Sequence, residues 1–160
     1  LPTDCSFQSI NAFKQKYFSC IRFLWIPSMF LKSILSKSYQ LNPPASPELI
    51  SDIQSRVSIR FPAEYTELLL VCNGLSSSGN LALHEIEELP SRNLDYEVHV
   101  YLPGYFMIGD DSGGQAILIN EDGELFEIGM GLMTQERLEK SANSLVQLLI
   151  HFEGKTLNER

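Results

Sequence analysis

Apolar residues recur along this chain in two rhythms, and the change of rhythm divides it. From residue 46 to residue 74 the interval is helical. Leu49, Ile50, Ile53 and Val57 share one face, behind Ser46-Pro47-Glu48, which supplies a cap, a first-turn proline and a first-turn carboxylate. Phe61-Pro62-Ala63-Glu64 opens a second helix with Tyr65, Leu68, Leu69 and Cys72 as its inward stripe. Asn73-Gly74 is expected to end it in left-handed geometry. Beyond Gly74 the pattern becomes extended. Ser76–Asn80 reads as a loop, Leu81–Ile86 as a short strand, and Glu85–Pro90 as an acidic turn. Glu97–Leu102 alternates like a half-buried strand or extended connector. Tyr105–Gly109, Gln115–Ile119 and Leu125–Ile128 are the strongest strand signals. They are joined by Asp110-Asp111-Ser112-Gly113-Gly114 and by Asn120-Glu121-Asp122-Gly123, whose Asp-Gly pair favours a hairpin. Ser141–Phe152 returns to helical spacing, with Ala142, Leu145, Val146, Leu149 and Phe152 inward and Gly154 past its end. The sum is an α+β domain, a mostly antiparallel sheet of about 4–6 strands flanked by helices.

Leu41-Asn42-Pro43-Pro44-Ala45 breaks any helix arriving from the N-terminal side, so two parts are expected. Residues 1–45 form a basic, aromatic, helical extension, and residues 46–160 form the domain. Tyr17–Leu35 is the most apolar stretch of the extension, but Arg22, Pro27 and Lys32 interrupt it, so no membrane span is expected. A secretory signal reads poorly too, with Arg22 inside its apolar run. The chain begins at Leu1 rather than at a methionine, which leaves the native start open. Cys5, Cys20 and Cys72 are odd in number and contain no Cys-x-x-Cys pair. That pattern suits reduced thiols and a cytoplasmic location, with Cys72 a small buried hydrophobe.

Charge sharpens the division. The net charge is −8, yet residues 1–40 set five lysines and arginines against Asp4, a balance of +4. Residues 41–160 set seven basic side chains against nineteen acidic ones, a balance of −12. Between residues 85 and 124 stand ten carboxylates, and Arg92 is the one lysine or arginine there. Such a surface repels nucleic acid and favours a basic protein, mainly by speeding encounter. Tyr96 and Tyr101, tyrosines among acids, suit interface anchors. Glu97, Asp110, Asp111, Ser112, Glu121 and Asp122 join Tyr96 as the expected partner-binding residues.

Three catalytic or metal readings of the same residues fall short. Asp111-Ser112-Gly113-Gly114 resembles the loop around a chymotrypsin-like nucleophile, but serine needs a histidine base oriented by a carboxylate, and His84, His99 and His151 show no such context. Calcium loops alternate their oxygen ligands, whereas Asp110, Asp111 and Ser112 are consecutive, and Glu121 and Asp122 are expected at the opposite end of the middle strand. No pair of histidines or cysteines has zinc spacing. No catalytic set, metal or cofactor is therefore expected.

The ordered set Phe61-Pro62-x-x-Tyr65, Leu69-x-x-x-Asn73-Gly74, Phe106-Met107-Ile108-Gly109, Gly113-Gly114 with the strand Gln115–Ile119, Gly123, Leu125–Gly129, and Ala142-x-Ser144-Leu145-x-x-Leu148-Leu149 resembles the SUKH superfamily. That group joins a fungal cell-wall-synthesis regulator to many bacterial toxin-immunity proteins. The resemblance spans about residues 46–152 and implies a non-enzymatic α+β binding domain. It further implies an immunity protein that neutralises a cognate toxin by direct complex formation, the partner being a basic toxin domain such as a nuclease. The alternative it leaves is a regulatory or scaffold protein of cell-wall or stress pathways.

Overall fold

A computed structural model describes residues 28–160. The expectations for Cys5, Cys20, the secretory signal and the rest of residues 1–27 lie outside the described residues. Seven strands form one antiparallel sheet in sequence order: β1 (Tyr39–Leu41), β2 (Leu75–Ser77), β3 (Ala82–Leu83), β4 (Tyr105–Asp110), β5 (Gln115–Asn120), β6 (Leu125–Gly129) and β7 (Glu139–Ala142). This is more than the four to six expected. The additional strands are three or four residues long and read Tyr-Gln-Leu, Leu-Ser-Ser or Glu-Lys-Ser-Ala, too short and polar to announce themselves.

The central strands are buried on both faces, so both need cover. On one face Phe106, Ile117, Ile119 and Leu125 meet α1 (Ser28–Leu35), α2 (Pro47–Arg56), α3 (Ala63–Val71) and the closing π-helix Gln147–His151. α4 (Leu89–Asp95) runs beside the edge of β4, with Leu89 in this same cluster. On the other face Met107, Ala116, Leu118 and Ile128 lie under α5 (Val98–Tyr101), Leu102 and the segment around Met133. Ser46 caps α2 by accepting from Leu49 N, with Pro47 in its first turn, as the sequence requires. Cys72 is fully buried at the end of α3, and desolvation pushes its thiol up to about 12.

Several expected boundaries move. Pro43-Pro44 does not separate an extension from the domain among the described residues. Leu31, Leu35 and Tyr39 enter the main core, β1 pairs with β2, and the Tyr39 hydroxyl donates to Leu149 O at 2.6 Å. Ser76 and Ser77 belong to β2 rather than to a loop. Glu97–Leu102 is not extended: Glu97 is left-handed (φ 50°) and starts α5, in which Leu102 N donates to Val98 O. A four-residue helix buries one side chain, Val98, so its alternating sequence carried no helical period. The closing helix does not begin at Ser141, because Ser141 and Ala142 complete β7. Ser144 Oγ instead accepts from Gln147 N, and Glu64 accepts from Leu145 N, which fixes the later start.

Gly74 is left-handed as expected (φ +90°), but Cys72, not Gly74, caps α3. The demand at Gly74 is also spatial, since a Cβ there would stand 2.7 Å from Leu83 O. Gly109 is tighter still, at 2.1 Å from Ala82 O, where β3 crosses beside a bulge in β4. Because β3 has two residues, β4 runs on past its end. There Asn93 of α4 takes the place of a strand. Its Oδ1 accepts from Met107 N at 2.8 Å, and its Nδ2 donates to Met107 O and Leu89 O, both at 2.9 Å. Asn93→Ala should leave both buried Met107 groups unpaired and lower stability by about 3 kcal/mol. Urea unfolding checks this, with the exposed Asp95→Ala as a control expected to stay within about 0.5 kcal/mol of the parent.

Candidate functional site

The acidic loops that the sequence singles out are built by their own carboxylates. Asp110 Oδ1 accepts from Ser112 N at 2.9 Å. Asp111 Oδ1 accepts from Gly113 N and Gln115 N, each at 2.8 Å, while Asp111 Oδ2 accepts from Asn158 Nδ2 at 3.2 Å. Short acidic side chains can turn a backbone in this way, which is why two aspartates precede a left-handed Ser112 and Gly114. Asp111 is buried and faces inward, and Ser112 Oγ donates to Asn80 O. The Asn120–Glu124 turn repeats the device with Asn120 Oδ1, which accepts from Asp122 N and Glu124 N. Glu121 is exposed, with one oxygen accepting from Arg60 N, and Asp122 is exposed at the tip.

β5 separates the two turns. Asp110 pairs with Ala116 at one end of the sheet and Tyr105 with Asn120 at the other, about 17 Å away. Tyr96 is half-buried against the second core cluster and Glu97 is exposed. Their sequence neighbours Leu94 and His99 line a groove of ≈ 420 Å³ together with Tyr105. Tyr96, Glu97, Glu121 and Asp122 thus share one end of the molecule, and Asp110, Asp111 and Ser112 occupy the other. The seven do not form one patch.

One constellation was not legible in the sequence. His84 Nε2 lies 2.6 Å from Asp110 Oδ2, and Arg92 Nη1 lies 3.7 Å from the same oxygen. His84 follows the two-residue β3, and the partners are 26 residues apart, so no spacing rule could join them. The pair lies outside the groove, and Ser112, on the same loop as Asp110, directs its hydroxyl to a backbone carbonyl. Glu127 is a second such residue. It is buried on the helix-covered face, accepts from Ser141 Oγ at 2.5 Å and from Leu157 N at 3.0 Å, and lies 3.9 Å from the Arg160 guanidinium. Burial nonetheless raises its carboxyl above the ordinary range. Glu124 is held lower by hydrogen bonds from Lys140 and Asn120. No group of three or more potential metal ligands occurs among the described residues, and none of their helices is long and apolar enough to cross a membrane.

Residues 44–151 match the model of the SMI1 / KNR4 family (SUKH-1). The chain belongs to this family. It is also similar to Uncharacterized protein YnaB of Bacillus subtilis (strain 168), 30% identical over 96 residues that cover 60% of this chain and 62% of that protein. The chain therefore spans about three-fifths of the length of the curated relative it matches. The residues that carry the SUKH resemblance hold the fold together here. Phe61 packs edge-on to Tyr65 at 5.2 Å and against Phe106 at 5.4 Å. Asn73 Oδ1 accepts from Ile86 N while its amide donates to Glu87, stitching α3 to the acidic turn.

Two outcomes are expected. Asp111→Ala strips acceptors from two turn amides and should cost about 3 kcal/mol, with Asp111→Asn closer to the parent and Asp122→Ala near neutral, all read by urea unfolding. For Glu127 the raised carboxyl means that the folded protein holds its proton more tightly than the unfolded chain. That stability is full below the ordinary carboxylate range and is lost as pH rises through the raised value. Glu127→Gln, which cannot ionise, should therefore gain stability relative to the parent as pH rises above the ordinary carboxylate range of about 4, measured by unfolding across a pH series.

Proposed function

We propose that this chain is a non-enzymatic, cytoplasmic immunity protein that neutralises a cognate toxin by forming a stoichiometric complex with it. The observation that carries the reading is the unbalanced surface of a SUKH-family domain. Glu85, Glu87, Glu88, Asp95, Glu97, Glu121 and Asp122 are all exposed, and Arg92 is the one lysine or arginine between residues 85 and 124. Asp95, Glu97 and Asp122 make no ion pair among the described residues, so their field is directed outward. A basic toxin domain, such as a nuclease whose active face attracts phosphate, is the matching partner, and such a surface acts chiefly on the rate of encounter.

Asp110 and Asp111 contribute to this field, but their hydrogen bonds belong to the loop. The informative charges are Glu97, Glu121 and Asp122. The product of the neighbouring gene should co-purify with the protein at a one-to-one ratio. Replacing Glu97, Glu121 and Asp122 by Gln, Gln and Asn should slow association by about tenfold at low salt and leave it little changed at high salt. Surface plasmon resonance across a salt series measures both. A neighbouring product that fails to bind the parent protein would refute the immunity reading.

A further inference from the structure

We propose that the α4–α5 hairpin is the docking surface for that partner, with the adjoining groove receiving an apolar anchor side chain. The inference rests on the immunity reading and adds to it a place and a mode. Leu94, Val100 and Tyr101 are 64%, 56% and 52% exposed, three large apolar side chains within eight residues of chain. Scattered exposed apolar residues need no explanation, but a concentration on one short element marks an interface. The fold does not require them there. Leu89 packs into the main core, Asn93 caps the open edge of β4 and Val98 enters the second core cluster, and the outward positions could all be polar at no cost to packing.

The hairpin is also the wall of a concavity. The groove of ≈ 420 Å³ is lined by Leu94 and His99 of the hairpin together with Val57, Pro90, Tyr105 and Phe106. Arg56 lines it as well, with its guanidinium 2.8 Å from Asp52. Exposed apolar side chains on the same short element that lines a largely apolar slot, with Leu94 common to both, offer a place where one partner side chain becomes fully desolvated, and such anchors dominate binding energy.

Charge selects the occupant. Glu88, Asp95 and Glu97 surround the hairpin, and the local guanidinium, Arg92, is drawn towards Glu88 and Asp110 at 3.7 Å each. A second copy of this chain would set Asp95 and Glu97 against their own counterparts across a two-fold axis. A cationic protein carrying an aliphatic or aromatic anchor meets both the exposed apolar side chains of the hairpin and the acids beside them. The apolar contacts would act on dissociation and the acids on encounter, so the two contributions separate kinetically.

The test uses the purified product of the neighbouring gene. The combined variant Leu94→Ala, Val100→Ser and Tyr101→Ala should weaken its binding by about 30-fold or more, mainly through faster dissociation. Asp95→Asn with Glu97→Gln should mainly slow association. Each position is exposed, so thermal melting should be unchanged. Should the combined variant melt early, the single variants and hydrogen exchange of the parent complex replace it, with protection expected across residues 89–102. Parent-like affinity of the variants, or protection confined to other segments, overturns the docking surface while the immunity reading stands. No binding by the parent overturns both. A concentration-dependent dimer of the free protein that these substitutions abolish gives the face to a second copy and overturns the proposal.

Discussion

Burial of β4 and β5 on both faces is the constraint from which the rest of the architecture follows. Their inner four positions are closed to solvent on either side. A sheet of this kind is stable when each face receives its own layer of side chains. The helices α1 to α3 and the closing π-helix supply one layer. The other is supplied by the four-residue α5 and an irregular segment around Met133, with the seven-residue α4 beside them at the sheet edge. The thinness of the second layer matters. Elements of seven and four residues have little inward surface, so most of their side chains face outward and are available for recognition.

The polar interior follows from the same constraint. A short β3 beside a longer β4 leaves buried backbone groups with no strand opposite, and Asn93 answers them with a side-chain amide. The acidic loop is solved similarly, with Asp111 satisfying turn amides and receiving a bond from Asn158 near the end of the chain. Carboxylates in this protein therefore divide into two populations. Some organise backbone and are committed to the fold, while others, on α4–α5 and at the Asn120–Gly123 turn, charge the exterior.

What the sequence disclosed tracks how far each element depends on local signals. Helix α2 was legible because cap, proline and apolar period agree, and α3 from the proline that opens it and the apolar run that follows. The long central strands were legible because an apolar run bounded by turn residues has few other interpretations. β1, β2 and β7 were not, since their strand state comes from neighbours rather than from Gln40, Ser76 or Lys140. The sequence Val98-His99-Val100-Tyr101 alternates like a strand yet forms a helical turn, because Glu97 adopts a left-handed joint that tertiary packing of Val98 holds in place. For the candidate site, residue type marked out an acidic region. It could not distinguish Asp111, turned inward, from Asp122, turned out, because that difference depends on which end of β5 each loop occupies.

Ser141 has a wider consequence. It falls where the β6–β7 register shifts, so it is the extra residue of a bulge on the last strand, and its carbonyl is taken by two nitrogens of Arg160. Arg160 in turn lies over the Phe152 ring, 4.0 Å from its centre. A kinked outer strand with an occupied acceptor is a poor template for an incoming peptide. On this flank the molecule is closed to recognition by strand addition, and a visitor must read side chains instead of extending the ladder.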